Sequence, residues 1–285
     1  MPPAGAQARV KTTIKPAEGT PLVYQCALPL SRQTLTFVAD LLRGHLNKIG
    51  SRWRKLPPGK IALIVAATLR HDHRLAGMAG GNGVSASTIS RWTWEVIGLL
   101  AARAPRLDRA LAKANKQGGE VVLPDGTLIP ARRRCGAASR RNYNGKHNKH
   151  GLLFLALTGE AGNLIWISPA RRGAASEITA ARHDHLAGRL RAAGPGALAD
   201  PGSTGLDPDP GDPVIITGYK STTARKTTPA QRQANHALSA ARAPAGHGFS
   251  DLKNWRILTR LRLSPGKAAT VLRALLVLTR QHTTR

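Results

Sequence analysis

The chain has 285 residues, 41% of them hydrophobic, and carries 43 Lys and Arg against 15 Asp and Glu, a net charge of +28. That apolar content suffices for a packed core and excludes wholesale disorder, and the length fits one large domain or a large domain with a small one. A charge of this size repels itself unless a polyanion neutralises it, so nucleic acid is the expected partner; a membrane is disfavoured, because no run of about 18 apolar residues exists.

Residues 1–26 are polar and Pro-rich and read as a flexible basic tail, without the continuous apolar core of a signal segment. Cys26 and Cys135 are too few for a disulfide framework or a zinc site, so a reduced, cytoplasmic setting is expected. Residues 27–112 form the first predicted domain. Leu35, Val38, Leu42 and Leu46 recur at helical spacing, Pro57-Pro58-Gly59 breaks the chain, and a second helix begins at Ile61. A short helix around Leu75 and Met78 precedes a turn at Gly80, Gly81 and Gly83. Ser85 and Ser87 are N-cap candidates for the next helix, where Ile89, Trp92, Val96 and Leu99 make an apolar stripe. The opposite face presents Thr88, Ser90, Arg91, Thr93 and Trp94. Helix, glycine turn and a polar, Arg-bearing helix follow helix-turn-helix grammar, with a plain helical hairpin as the alternative. Ser87, Arg91, Thr93 and Trp94 are the candidate DNA contacts.

Pro105 and the run Lys113–Gly119 look like a linker, and residues 119–282 form the second predicted domain. Short strands are expected at Val121–Leu123, Leu152–Leu157, Leu164–Ile167, Ala197–Ala199 and Val214–Ile216, with Gly162-Asn163 as a hairpin turn. Helices are expected over Glu177–Arg191, from Thr228 onward with a second start at Pro244, and over Lys267–Arg280. Strands first and helices packed on them give an α/β domain with a mixed sheet.

Asp125 and Asp200 are both expected at strand ends, where a sheet exposes its edge to ligand. Two carboxylates brought together suit Mg²⁺ or Mn²⁺, which can activate water for phosphodiester cleavage. The alternative is that Asp125-Gly126 is merely a solvated turn. His183-Asp184-His185 reads as a surface cluster, because the two His diverge on a helix. Tyr143, Lys146, His147, Lys149 and His150 form a basic turn that either contacts phosphate or is simply solvated. Trp255, Phe249 and Leu252 read as core, with Lys253 and Arg256 on the other side facing phosphate or solvent.

A series of motifs in one order resembles the DDE insertion-sequence transposases. They are Asp125-Gly126-Thr127-Leu128-Ile129-Pro130, Tyr143-Asn144-Gly145-Lys146-His147, the segment Ile178–His185, Leu198-Ala199-Asp200, Arg242-Ala243-Pro244, Gly248-Phe249 and the segment Leu252–Leu258. The resemblance runs from about Leu28 to Thr279. It implies a ribonuclease-H-like mixed-sheet catalytic domain preceded by an all-helical helix-turn-helix module, Mg²⁺ or Mn²⁺ as cofactor, and DNA as partner (element ends and target). It also implies self-association on DNA and a bacterial, nucleoid-associated location. Asp125 matches the first catalytic acid and Asp200 the second, although Pro201 and Ser203 stand where the family has apolar residues. The third acid is a Glu in a segment like Arg-Ala-Pro-Val-Glu-His-Gly-Phe, and Gly246 occupies its position. Asp251 lies five residues on, about 140° round a helix, and His247 is also off the required face. Glu177 keeps a charge where the family has a His-Asp pair. Which acid fills the gap, Asp251 or Glu177, stays open, as does the choice between an active enzyme and a decayed copy that only binds DNA.

Overall fold

The computed structural model describes residues 27–51, 54–132, 137–207, 209, 211–223 and 226–283; the basic tail, Cys26 and Cys135 lie outside them. Helices come first. In α1 (Arg32–Lys48) Ser31 caps the helix by accepting from the Thr34 amide at 3.1 Å, and Val38, Leu42 and Leu46 are buried. α2 (Pro58–His71) starts on a proline, which loses no hydrogen bond at a first helical position, and stops at Asp72 in the left-handed region (φ 53°). α3 (Leu75–Gly80), a turn closed by Gly83 (φ 61°) and α4 (Ala86–Arg103) follow in the expected order.

Ser85, not Ser87, caps α4, accepting from the Thr88 amide at 3.2 Å; Ser87 lies exposed inside the first turn. The buried stripe of α4 is wider than the spacing predicts, because Ile97 and Leu100 join Ile89, Trp92 and Val96, while Leu99 is only half-buried. Two expected surface residues are corrected. Thr93 is buried, its hydroxyl donating back to Ile89 O at 2.8 Å, and Trp94 is half-buried against the core under the Lys267 ammonium, 5.2 Å from its ring centre. The reason is that α4 is covered on a second side by the last helix of the chain. Arg91 remains exposed.

The expected linker is partly a helix, α5 (Leu107–Lys116), which buries Leu107, Ala110 and Leu111. Then come β1 (Val121–Pro130), α6 (Ala137–Arg141), β2 (Tyr143–Asn144), β3 (Lys149–Gly159), β4 (Leu164–Ile167) and β5 (Arg171–Arg172). α7 (Glu177–His183), α8 (Leu186–Ala193), β6 (Gly196–Ala199), β7 (Ile215–Thr217), α9 (Pro229–Lys253) and α10 (Pro265–Thr283) complete the chain. Where one helix was expected over Glu177–Arg191 there are two. His185 adopts left-handed backbone (φ 53°), and Asp184 is drawn inward into an ion pair with Arg171. α9 runs unbroken through Pro244 and does not restart there.

The sheet is mixed. β1 pairs antiparallel with β3 and parallel with β6, β6 pairs parallel with β7, and β4 and β5 add antiparallel to β3. Along β3 alternate side chains serve opposite faces, as the pleat requires: Leu152, Phe154 and Ala156 enter one apolar cluster, Leu153, Leu155 and Leu157 another. The second cluster is closed by α5, α7 and α8 through Leu111, Ala181 and Leu190. The first is continuous with the helical region, joining Leu42, Ile89 and Leu100 to Phe154, Phe249, Trp255 and the α10 residues Leu272, Leu275 and Leu276. Trp255 is almost fully enclosed, and its indole N–H donates to the Thr279 hydroxyl at 3.1 Å. The helices that precede the sheet are thus packed onto it through α10, which fixes their placement relative to β1 and β6.

Candidate active site

Asp125 does not end a strand. The β1–β3 ladder runs from Val122↔Gly159 to Pro130↔Gly151, so Asp125 sits mid-strand opposite Ala156. Asp200 does end β6, whose last residues pair with β7, and β6 itself runs parallel to the start of β1 through Val122↔Ala197. Pro201 and Ser203 leave that strand end intact. They form a single 3₁₀ turn in which the Ser203 amide donates to Asp200 O at 2.9 Å and its hydroxyl donates to the Asp200 carboxylate at 3.4 Å.

A third carboxylate comes from α7. Ser176 caps that helix by accepting from the Thr179 amide at 3.2 Å, which makes Glu177 its first residue. The Glu177 side chain lies directly on Gly126: a Cβ at residue 126 would stand 2.4 Å from its Cγ and Cδ. A side chain at residue 126 would have to push this carboxyl aside.

The Asp200 charge acts on both of the other acids. Burial is the main force holding Asp125 above the usual carboxylate range, and the Asp200 charge adds to it; the Gly126 amide, Arg242 and Lys253 pull the other way. Glu177 is likewise pushed up by burial first and then by Asp200 and Asp125, against Lys146 and Arg242. Arg242 is the structural counterweight. Its guanidinium donates to Leu198 O at 3.1 Å and to Pro124 O at 3.5 Å, tying α9 to the two strands that carry the aspartates. Sequence reasoning quoted Arg242 within a motif but gave it no role; nothing in spacing alone distinguishes a guanidinium that grips carbonyls from a solvated one.

Arg242, Gly246 and Lys253 lie within about 40° of one another on α9 by the 3.6-residue period, so Gly246 shares the face that looks toward Asp125. It is exposed, and a Cβ there would meet nothing within 4 Å. Because α9 is continuous through Pro244, Gly246 is a helix-interior residue. Gly246→Ala is therefore expected to stabilise the protein by about 1 kcal/mol through backbone entropy alone. Thermal unfolding measures it, and an unchanged or lower midpoint would mean that α9 frays at this point. Asp251 is on the far side of the helix, and its charge acts on Arg70 instead.

Lys146 lines a cavity of about 480 Å³ with Gly126, Tyr143, Glu177 and Asp200. Lys253 is exposed, with its ammonium 5.7 Å from the Phe249 ring centre. Arg256 is exposed and its charge falls on His73, so it does not join Lys253. In the helical region a cleft of about 890 Å³ is lined by Arg54, Lys55, Ser85, Thr88, Arg91 and Glu95, with Glu95 accepting from both Arg54 Nη atoms at 2.8 and 3.0 Å.

Among the described residues no group of three or more His, Cys, Asp or Glu side chains is placed to hold a metal ion. The chemistry of the donors nevertheless suits a hard divalent cation: all are carboxylates, half-buried, with the Asp200 charge acting on the other two, and the glycine at 126 lets Glu177 rest against β1. The sign of the pH dependence follows. A carboxyl whose folded pKa is raised binds protons more tightly in the folded state. Stability therefore falls as pH rises from the unfolded carboxylate value through the raised folded value. Asp125→Asn and Glu177→Gln are expected to raise the melting temperature at pH 7 in the absence of metal, with the gain disappearing near pH 4. Melting curves at the two pH values decide it; a gain equal at both would trace it to packing, not charge.

Among the described residues no helix is long and apolar enough to cross a membrane. No curated protein and no solved structure matches the chain. A sequence model of the DDE superfamily endonucleases matches residues 124–280, more than half of the chain, beginning one residue before Asp125 and taking in Glu177, Asp200 and Arg242. With the mixed sheet and paired aspartates already in place, that match means that the chain belongs to the DDE superfamily endonucleases.

Proposed function

We propose that the protein is a transposase-type endonuclease and strand transferase that cuts DNA at the ends of an insertion sequence, with Mg²⁺ or Mn²⁺ as cofactor. The observation that carries this reading is that Asp125 and Asp200 stand on neighbouring parallel strands, with the Asp200 charge acting on Asp125 beside the Arg242 clamp. Asp125 and Asp200 would hold the metal, which when bound supplies an activated water and neutralises the leaving oxygen of the phosphodiester, as a pair of ions does in two-metal sites. The chain's own residues do the rest. Arg242 fixes the spacing of the two strands, while Lys146 and Lys253 bring positive charge to the phosphates on either side of the acids. DNA is recognised by the helical region, where α3, the Gly83 turn and α4 act as a helix-turn-helix and present Ser87 and Arg91. Two copies meet on paired element ends, in the nucleoid of a bacterial cell.

The direct test is strand cleavage of an element-end duplex in Mn²⁺ against the same reaction with chelator. Metal-dependent nicking supports the reading. A specific observation favours a second one: Gly246 leaves α9 without the acid the family carries there, so a decayed copy would bind the duplex and leave it uncut. Arg91→Ala is expected to weaken binding to an element end by about 1–3 kcal/mol, the value of one base contact in the major groove. An equal loss on random DNA would make Arg91 a phosphate contact and end its role as a base reader.

A further inference from the structure

We infer that Glu177 supplies the third carboxylate of the metal site, in the place that Gly246 leaves empty on α9. The inference rests on the metal-dependent reading above. Three observations on the chain's own residues support it. The first is position. Glu177 lies over Gly126, the residue after Asp125, close enough that a single methyl group at 126 would displace it. The second is isolation. Among the described residues no hydrogen bond or ion pair ties its carboxylate down, although Asp200, Asp125, Lys146 and Arg242 all lie near enough to act on it. An acid placed among other acids without a fixed partner is costly to keep unless a cation joins them. The third is the failure of the alternative: Asp251 is turned toward Arg70, and His247 stands exposed on the same side of α9. A carboxylate delivered from the first turn of α7 thus reaches the aspartates from the opposite side to α9, and its charge replaces the one missing at residue 246.

The experiment measures Mn²⁺ binding to the full chain, without DNA, from the electron paramagnetic resonance signal of free Mn²⁺. Wild type and Asp251→Asn are expected to bind alike. Asp125→Asn and Glu177→Gln are each expected to lose affinity by about 10-fold or more, since even outer-shell partners of a metal account for 10–100-fold. Gly126→Ala guards against misfolding of the Gln variant. It keeps every carboxylate and only pushes Glu177 away, so it too is expected to lose about 10-fold or more. If Asp125→Asn loses affinity while Glu177→Gln and Gly126→Ala bind like the wild type, the third carboxylate is not Glu177. If Asp125→Asn also binds like the wild type, or the wild type binds no Mn²⁺, the metal-dependent reading itself is wrong and the inference falls with it.

Discussion

Asp125→Asn is expected to reduce metal-dependent cleavage of an element-end duplex by about 10³-fold or more, the scale lost when one member of a catalytic unit that acts together is removed. The physical reason lies in the site's charge balance. Asp125 is held on β1 opposite Ala156 of β3, three residues past the point where β1 pairs with β6, so its backbone is fixed by the ladder. Asn keeps the shape and the Gly126 amide contact available but removes the charge that a divalent cation needs. Binding to the same duplex is expected to stay within about twofold, or to tighten slightly, because a negative charge facing phosphate has been removed and the basic residues are untouched. Gel-shift and nicking assays on the same preparation separate the two effects. Loss of both binding and cleavage would mean that Asp125 serves the fold and not the chemistry. Undiminished cleavage would move the reaction centre elsewhere.

Local chemistry alone leaves Asp125-Gly126 open to a solvated-turn reading. The resemblance to a family singles out Asp125 and Asp200 as a candidate site, and the structure brings them to neighbouring strands. What the sequence misplaced was the backbone around them. Asp125 looks like a strand terminus because Pro124 and Gly126 are poor strand formers, yet the ladder continues, since β3 supplies partners along its whole length. Pro244 looks like a helix start for the same local reason. α9 carries it in the interior, where the chain on either side is held by Arg242 on the strands and by buried Ala245, Gly248 and Phe249. In both places tertiary contacts outweigh propensities worth a few kcal/mol.

Glu177 and Thr93 show the other kind of gap. No periodicity reveals that Gly126 must lack a side chain because an acid from α7 rests on it, or that Thr93 faces inward because α10 returns from the chain's far end to cover α4. Such facts are long-range, and only the resemblance to a family pointed near the first of them. The continuous core through α10 has a functional consequence of its own. The helical region and the sheet that carries the acids are joined by packed side chains, so on the proposed reading DNA held by α4 would be presented to β1 and β6 at a fixed angle. A chain with a loose linker between the two would have to find that angle by diffusion.

Affinity for DNA is expected to fall by about 10³ to 10⁵ between 50 and 200 mM salt, the response of a protein that neutralises about 6–10 phosphates. The sequence carries 43 Lys and Arg against 15 Asp and Glu. Five of those acids, Asp40, Glu95, Asp108, Asp184 and Asp207, are each paired with an arginine, so they cancel within the fold and leave the surplus as it was. Asp125, Glu177 and Asp200 are gathered at one place. That surplus is what a polyanion would neutralise, with release of its condensed counterions. The same surplus makes the free protein repel itself, so salt acts on folding with the opposite sign: the melting temperature is expected to rise over the range in which DNA binding collapses. Fluorescence anisotropy and thermal unfolding, run in the same series of buffers, test both at once. A binding constant that barely moves with salt would show that the basic surface is not where DNA sits. A melting temperature that falls with salt would show that the positive charges are already neutralised within the fold, by pairs such as Arg54 with Glu95, and are not held in reserve for phosphate.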